Sequence, residues 1–311
     1  MMSDFAIISD TACDMTKDLR ERFGLDDVLK GYLIFPDGHE EHGDLDWNNY
    51  SPEEYYDIVA DKNTFIKTAQ PAPAHITEVF EKQLAQGRDV LAVLLSTGIS
   101  GVYGSSCICA EKLMEKYPGR KIICVDSKRY STCLSLLCIY ACQMRAAGKS
   151  LEETAQWLEE NKNCVHQIGT VEDLFFCRRM GRVSGTAAFM GTLVGVKPLA
   201  DFDDKGLSHV IGKVRGRQTM YRAIVDYMKQ TIVHPEDQII FVAHSARPNQ
   251  AQELYDMVVA EIKPKECIIN NVGQQCGTSI GPGLIAAFYY GKPISDGLVE
   301  EQKILADVTG K

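Results

Sequence analysis

The stretch Asp89–Cys109, DVLAVLLSTGISGVYGSSCIC, constrains the fold more than any other part of the chain. Val90–Leu95 is a short, unbroken apolar run with charge before it and Ser and Gly after it. That length and composition suit a strand buried on both faces of a parallel sheet. Ser96-Thr97-Gly98-Ile99-Ser100-Gly101 follows, and small and apolar residues then recur at helical spacing to about Tyr117. A strand, a hydroxyl- and glycine-rich turn and a helix start together make an anion-binding device. The first helical N–H groups are unpaired, the helix N-terminus is electropositive, and glycine lets a ligand approach the backbone. A serine in such a turn either caps the helix or donates to a ligand oxygen, and both readings stand from this stretch alone.

The rest of the first half alternates in the same way. Phe5–Ser9 reads as a strand running into Asp10-Thr11-Ala12-Cys13-Asp14, with Asp14 as cap for a helix over Thr16–Phe23. Val28–Phe35 reads as a second strand, Pro36-Asp37-Gly38 as a turn, and Glu40–Asn49 as an acidic loop. Ser51-Pro52-Glu53-Glu54 starts a helix with a serine cap and a proline in its first turn. Pro71 and Pro73 stop any helix and give Lys67–Pro73 an extended or turning path, and Ala74–Gln86 is an amphipathic helix. Lys121–Val125 is a buried strand closing on Asp126-Ser127; Ser131–Ala147, ended by Gly148, and Leu151–Asn161 are helices. This is the pattern of a parallel sheet covered on both faces, with ligands beyond the carboxyl ends of its strands. Asp10, Ser96–Gly101, Ser127 and, if its loop folds over the edge, Thr68 would gather there.

After Asn163 the character changes. Cys164–Thr170 suggests a strand and Val171–Met180 a helix. Lys197–Phe202 and Leu207–Lys213 flank the hairpin turn Asp203-Asp204-Lys205-Gly206. Helices are expected over Val214–Thr231 and Pro248–Ile262, strands over Gln238–His244 and Ile268–Gly273, a glycine loop over Cys276–Gly283 and an apolar segment over Leu284–Tyr290. The expected architecture is an α/β chain: an N-terminal parallel-sheet α/β/α domain, residues 1–163, followed by a second, mixed α+β domain, residues 164–311.

Bulk properties narrow the function. A net charge of −9 argues against a nucleic-acid binder. No apolar run has the length of a membrane span, and Met1–Asp10 lacks a signal peptide's basic start and long apolar core, so a cytoplasmic protein is expected. The eleven cysteines include no CxxC pair, which favours reduced, mostly buried thiols over a metal site or disulfides. Glu40, Glu41, His42, Asp44 and Asp46 read as a solvated acidic loop rather than as metal ligands. Gly98-Ile99-Ser100-Gly101-Val102 misses the second glycine of a nucleophile elbow, and nothing pairs His166, His209 or His244 with Ser100. No GK[ST] follows a glycine-rich turn, and the first strand runs into no glycine fingerprint. Two basic clusters, Arg178-Arg179 with Arg182 and Arg215 with Arg217, stand out in an acidic chain as solvated helix ends or a docking patch. Hydroxyls and backbone donors with no general base in view suit holding an anion better than transforming it.

An ordered set of motifs spans nearly the whole chain: Ser9-Asp10-Thr11 with Cys13-Asp14, Thr68-Ala69-Gln70-Pro71-Ala72-Pro73, Leu95–Gly101, Val125-Asp126-Ser127, Asp173-Leu174 with Gly181-Arg182-Val183-Ser184, and Gly277-Thr278-Ser279-Ile280-Gly281-Pro282-Gly283. Together they resemble the DegV family of fatty-acid-binding proteins. The resemblance implies two domains with a long-chain fatty acid between them, its carboxylate held by Thr68 and Ser100, with Ser96, Thr97, Gly101 and Ser279 around it. It also implies a protein that is no enzyme and needs no cofactor or metal, but presents the acyl group to a separate fatty acid kinase for acyl phosphate formation in phospholipid synthesis. Arg182 and Arg217 are then candidates for the kinase contact. The family's GTHTGPG loop carries Ser279 at the histidine position and Ile280 after it, and its double glycine is Met180-Gly181 here. Phe189, Met190, Leu193 and Val194 are candidates to line the acyl tail. The alternatives are a hydrolase or acyl-transfer enzyme using Ser100 and a binder of another small anion.

Overall fold

A computed structural model describes residues 5–61, 63–184 and 195–310. The chain divides into two compact units. The first comprises Met1–Asn49, Thr64–Lys162 and Gly273–Cys276, and the second Tyr50–Asn63, Asn163–Val272 and Gly277–Lys311. Set beside the expected division at 163/164, the units exchange two short segments, each tied in by specific bonds. Gln274 Oε1 accepts from Asp44 N at 2.9 Å and Cys276 Sγ lies 3.4 Å from the Ala12 carbonyl, both within the first unit. Tyr56 donates to the Val272 carbonyl at 2.7 Å within the second.

The strands of the first unit are β1 (Phe5–Asp10), β2 (Asp27–Leu29), β3 (Tyr32–Ile34), β4 (Glu40–His42), β5 (Lys67–Ala69), β6 (Asp89–Leu94) and β7 (Ile122–Asp126). Four of them form a wholly parallel sheet in the order β2-β1-β6-β7. The helices in chain order are α1 (Lys17–Phe23), α2 (Pro52–Ala60, which belongs to the second unit), α3 (Pro73–Ala85), α4 (Val102–Lys116), α5 (Thr132–Ala146) and α6 (Leu151–Asn161). Ile8, Val90, Ala92 and Leu94 pack with Ile76, Val79 and Phe80 of α3 and Val102, Ala110 and Leu113 of α4. Helices α5 and α6 pack against β1, β6 and β7. Ten residues of α5 are buried, which explains its apolar sequence. Capping boxes open α2 and α6, each serine exchanging bonds with the glutamate three residues on.

Three expectations here need correction. Val28–Phe35 is not one strand: β2 ends at Leu29, and β3 joins a separate antiparallel sheet in the order β4-β3-β5. The break falls at Lys30-Gly31, where Gly31 N donates to Thr11 Oγ1 at 3.0 Å and an added Cβ would sit 2.9 Å from the Ala69 carbonyl. Glu40–His42, expected as loop, is the edge strand β4, and Lys67–Ala69 becomes β5. Asp14 does not cap α1, whose N-cap is Thr16; it turns left-handed at φ 53° and hydrogen-bonds Ser131 Oγ in the interior.

The second unit is built on one mixed sheet of β8 (Val165–Thr170), β9 (Val183–Ser184), β10 (Val196–Phe202), β11 (Ser208–Arg215), β12 (Ile239–His244), β13 (Glu266–Asn271) and β14 (Ile285–Tyr290), in the order β13-β12-β14-β8-β10-β11-β9. The expected β10–β11 hairpin forms, its turn closed by Asp203 Oδ1 accepting from Lys205 N and Leu207 N. Helices α7 (Leu174–Arg179), α8 (Arg217–Thr231), α9 (Pro248–Ile262), α10 (Gln274–Ile280) and α11 (Val299–Thr309) complete the chain. Met220, Ile224 and Met228 of α8 and Leu254 and Val258 of α9 pack with Ile168, Ile240 and Val242 of the sheet.

Val214 and Arg215, expected in a helix, extend β11: Val214 is buried between exposed Lys213 and Arg215, a period of two, and Gly216 at φ 88° turns the chain into α8. The helix expected over Val171–Met180 shortens to α7. Cys276–Gly283, expected as a glycine loop, is the end of α10, with Gly281 and Gly283 at positive φ beyond it. Gly277 is glycine for packing, since a Cβ there would run into the Tyr56 ring. Phe189, Met190, Leu193 and Val194 lie outside the described residues.

One buried polar network braces this sheet. The Asp201 carboxylate accepts from Gln167 N at 3.0 Å, Phe202 N at 2.8 Å and the Tyr227 hydroxyl at 2.9 Å, and faces His166 Nδ1 at 2.6 Å. His166 Nε2 donates to the Lys292 carbonyl at 2.7 Å, and the ring stacks on Tyr289 with centroids 5.3 Å apart.

Candidate functional site

The carboxyl ends of β1, β6 and β7 bring together the loop that the sequence singles out. Asp10, the last residue of β1, accepts from Ala12 N at 2.9 Å through one oxygen and from Leu95 N at 2.8 Å through the other, so it anchors the chain as it leaves β6. Burial pushes its carboxyl up to about 6 against those two donors. Ser127 N bonds the Leu94 carbonyl at 3.1 Å, and Ser96 N bonds the Arg129 carbonyl at 3.0 Å. Asp10, Ser96–Gly101 and Ser127 thus gather at one sheet edge, as parallel topology requires.

Within the loop each hydroxyl has its own task. Ser96 is fully buried and its Oγ accepts from Gly98 N at 3.1 Å, which sets the turn. Thr97 donates its hydroxyl to Asp126 Oδ2 at 2.6 Å and its N–H to Oδ1 at 3.2 Å. Lys128 Nζ reaches Thr97 Oγ1 at 2.9 Å and Asp126 Oδ2 at 3.1 Å. Burial opposes the charge on Asp126, but these donors prevail and hold its carboxyl below the usual range. Ser100 Oγ accepts only a long bond from Val102 N, at 3.3 Å, and its proton meets no acceptor among the described residues. Gly101 is the N-cap of α4, and a helix's first-turn N–H groups have no carbonyl partner within it. The loop therefore ends in an open hydroxyl and a helix N-terminus.

Thr68 sits in β5, opposite Leu33, half-buried and with no described partner for its hydroxyl. Two residues on, Gln70 Nε2 donates to Ser105 Oγ of α4 at 2.9 Å. A Cβ on Gly101 would lie 2.8 Å from Gln70 Oε1, so glycine lets the Thr68 segment close against the first turn of α4. Gln70, Asp126 and Lys128 were not singled out from the sequence as site residues. Asp126 was legible only as part of Val125-Asp126-Ser127, and nothing in the spacing pairs it with Thr97.

The other candidates belong to the second unit. Ser279 is half-buried near the end of α10. Arg182 is half-buried and donates to the Met180 carbonyl; Arg217 is exposed at the start of α8, 3.5 Å from Glu253. His166, His209 and His244 are also in this unit. Burial lowers His244 to about 4, and its Nδ1 accepts from Arg247 N at 3.2 Å. Asp44 and Asp46 spend their carboxylates on backbone N–H groups and on Arg20. Among the described residues the one group able to offer three metal-ligand atoms is His234, Glu236 and Asp237, all exposed. No helix among them is long and apolar enough to cross a membrane.

A family pattern described as "Uncharacterised protein, DegV family" matches residues 4–292. The chain belongs to the DegV family. A DegV domain-containing protein of Clostridium perfringens is 33% identical over 290 residues, 93% of this chain and 98% of that one. Two solved DegV-like structures share the fold. One, from Thermus thermophilus, is a DegV family protein described by its fatty acid binding; it superimposes with a TM-score of 0.82 at 25% identity, covering 93% of this chain and 99% of its own. The other, a stearic-acid-binding protein from Eubacterium ventriosum, superimposes with a TM-score of 0.81 at 23% identity, covering 93% and 98%. The two-domain α/β architecture of this DegV chain is thus the family's own.

Proposed function

We propose that this DegV-family chain binds a long-chain fatty acid without transforming it and presents the head group to a separate fatty acid kinase. The observation that carries the reading is the open hydroxyl of Ser100 at the N-terminus of α4, with the half-buried Thr68 on the segment that Gln70 ties to that helix. In this reading Ser100 and Thr68 donate to the carboxylate, the Gly101 end of α4 faces its charge, and Ser96 and Thr97 shape the loop. The fatty acid binding described for the Thermus thermophilus relative supports the ligand class.

The two ends of such a ligand contribute unequally. Burial of a long acyl chain supplies about 0.8 kcal/mol per CH₂, on the order of 10 kcal/mol before association costs. A carboxylate at a helix N-terminus adds only about 0.3–2 kcal/mol. The tail therefore sets affinity and the hydroxyls set orientation. A serine at position 279, where the family loop carries histidine, weakens orientation more than retention.

Native mass spectrometry of the purified protein, followed by analysis of its organic extract, tests the ligand. A long-chain fatty acid at near one-to-one ratio is expected. An empty protein that also fails to take up added stearic acid overturns the reading. Arg217→Glu should slow acyl phosphate formation by the kinase while leaving fatty acid content unchanged; an equal rate removes Arg217 from the kinase contact.

A further inference from the structure

Two histidines with no part in the proposed head-group site meet beside the small antiparallel sheet of the first unit. His42 is the last residue of β4 and exposed, and His75 is half-buried in the first turn of α3. Their ring centroids are 6.0 Å apart. Each ring turns its Nδ1 to an acceptor. His42 Nδ1 is hydrogen-bonded to the Gly31 carbonyl at 3.4 Å, and His75 Nδ1 lies 3.8 Å from Glu78 Oε2, one helical turn on. A carbonyl only accepts, so the His42 bond puts the proton of the neutral ring on Nδ1 and leaves the lone pair on Nε2. His75 Nε2 is buried and has no hydrogen-bond partner among the described residues, which give His42 Nε2 none either.

An imidazole held through one nitrogen by a carbonyl or carboxylate, with the other nitrogen left over, is the form in which histidine ligates metals. Metal–nitrogen bonds of about 2.1 Å place the centres of two imidazoles on one ion roughly 5–6 Å apart, and the observed spacing matches that. We propose that His42 and His75 form a two-histidine binding site for a divalent transition-metal ion such as zinc, ligated through both Nε2 atoms. Imidazole suits ions of this class. No third histidine, cysteine or carboxylate ligand joins the pair among the described residues, so water completes the coordination and the site stays open. A cation at the first turn of a helix works against its dipole, and Glu78 beside His75 supplies a countercharge.

Such an ion ties α3 to the sheet that carries Thr68. Tyr32 of β3 pairs with His42 of β4 on one side and with Ala69 of β5 on the other. Both histidines belong to the first unit, and the site is independent of what the 96–101 loop binds.

Zinc chloride titrated into the untagged, reduced chain, followed in long-range proton–nitrogen spectra of the histidine rings, tests the site. The Nε2 signals of His42 and His75 should move together and saturate at one ion per chain. Those of His166, bonded at both ring nitrogens, should stay in place. Loss of a mere outer-sphere partner typically costs about 10–100-fold in metal affinity, so His42→Ala and His75→Ala, each removing a ligand, should each cost at least about 100-fold by calorimetry. Neither side chain is fully buried, and melting curves without zinc should match the native chain's, which separates loss of the site from loss of the fold. Zinc that leaves the two rings unmoved, that shifts only the exposed His234, or that binds both single variants as tightly as the native chain would overturn the proposal.

Discussion

Replacing Asp201 by asparagine isolates what the buried network contributes to the second unit. Asp201 is fully buried and its two oxygens face four donors: Gln167 N, Phe202 N, the Tyr227 hydroxyl and His166 Nδ1. Asparagine keeps one acceptor and turns the other into an NH₂ group. If that NH₂ replaces Oδ1 it meets two backbone N–H groups that cannot turn away. The cheaper orientation sets it against Tyr227 and His166, where at least the hydroxyl can rotate. Two hydrogen bonds to a charged acceptor are then lost, at about 1.5–3 kcal/mol each. The second-unit transition should accordingly fall by roughly 10 °C, at about 2–4 °C per kcal/mol. Scanning calorimetry with urea unfolding measures it. Tyr227→Phe removes one of these bonds and should cost about 1.5–3 kcal/mol in the native chain and clearly less on the Asp201→Asn background, because the two share one network. A loss below about 1 kcal/mol for Asp201→Asn would refute the reasoning and mean that the network relaxes without penalty.

Burial raises Asp14 to about 7, with Ser131 and Gly273 donating to it and the nearby Asp10 raising it further. A carboxyl raised above its unfolded value near 3.8 holds its proton in the native state first, so its contribution is favourable below about pH 4 and is lost as pH rises towards 7. In urea titrations Asp14→Asn should therefore gain on the native protein between pH 4 and 7, by a limit on the order of 4 kcal/mol; a difference that does not change with pH would contradict this. Gly169→Ala, near the end of β8, the middle strand of its sheet, puts a Cβ 2.3 Å from Ala286 Cβ and 2.5 Å from the Ile285 carbonyl, and should cost at least 3 kcal/mol or so, visible as lost soluble expression. Thr68→Ala with Ser100→Ala should leave the melting temperature within a few degrees but reduce retained fatty acid and slow acyl phosphate formation; unchanged values for both would count against the two hydroxyls as head-group ligands.

Much of the architecture was legible in the sequence because its signals are local. Val90–Leu95 is apolar without alternation, as burial on both faces demands, and the Ser-Pro-Glu-Glu opening of α2 carries its whole capping chemistry within four residues. The 96–101 loop could be recognised for the same reason: its glycines and hydroxyls lie side by side in the chain. What depended on distant partners could not be read. Val28–Phe35 looks continuous, yet Gly31 must meet Thr11 and Ala69, and the strand divides between two sheets. Asp14 looks like a helix cap until Ser131, far along the chain, claims it in the interior. Gly277 marks close packing on Tyr56 rather than a loop. Thr97 and Ser100 look alike in sequence. Only the fold, by placing Asp126 under Thr97 and leaving Ser100 open, decides which hydroxyl shapes the loop and which is free to receive a ligand.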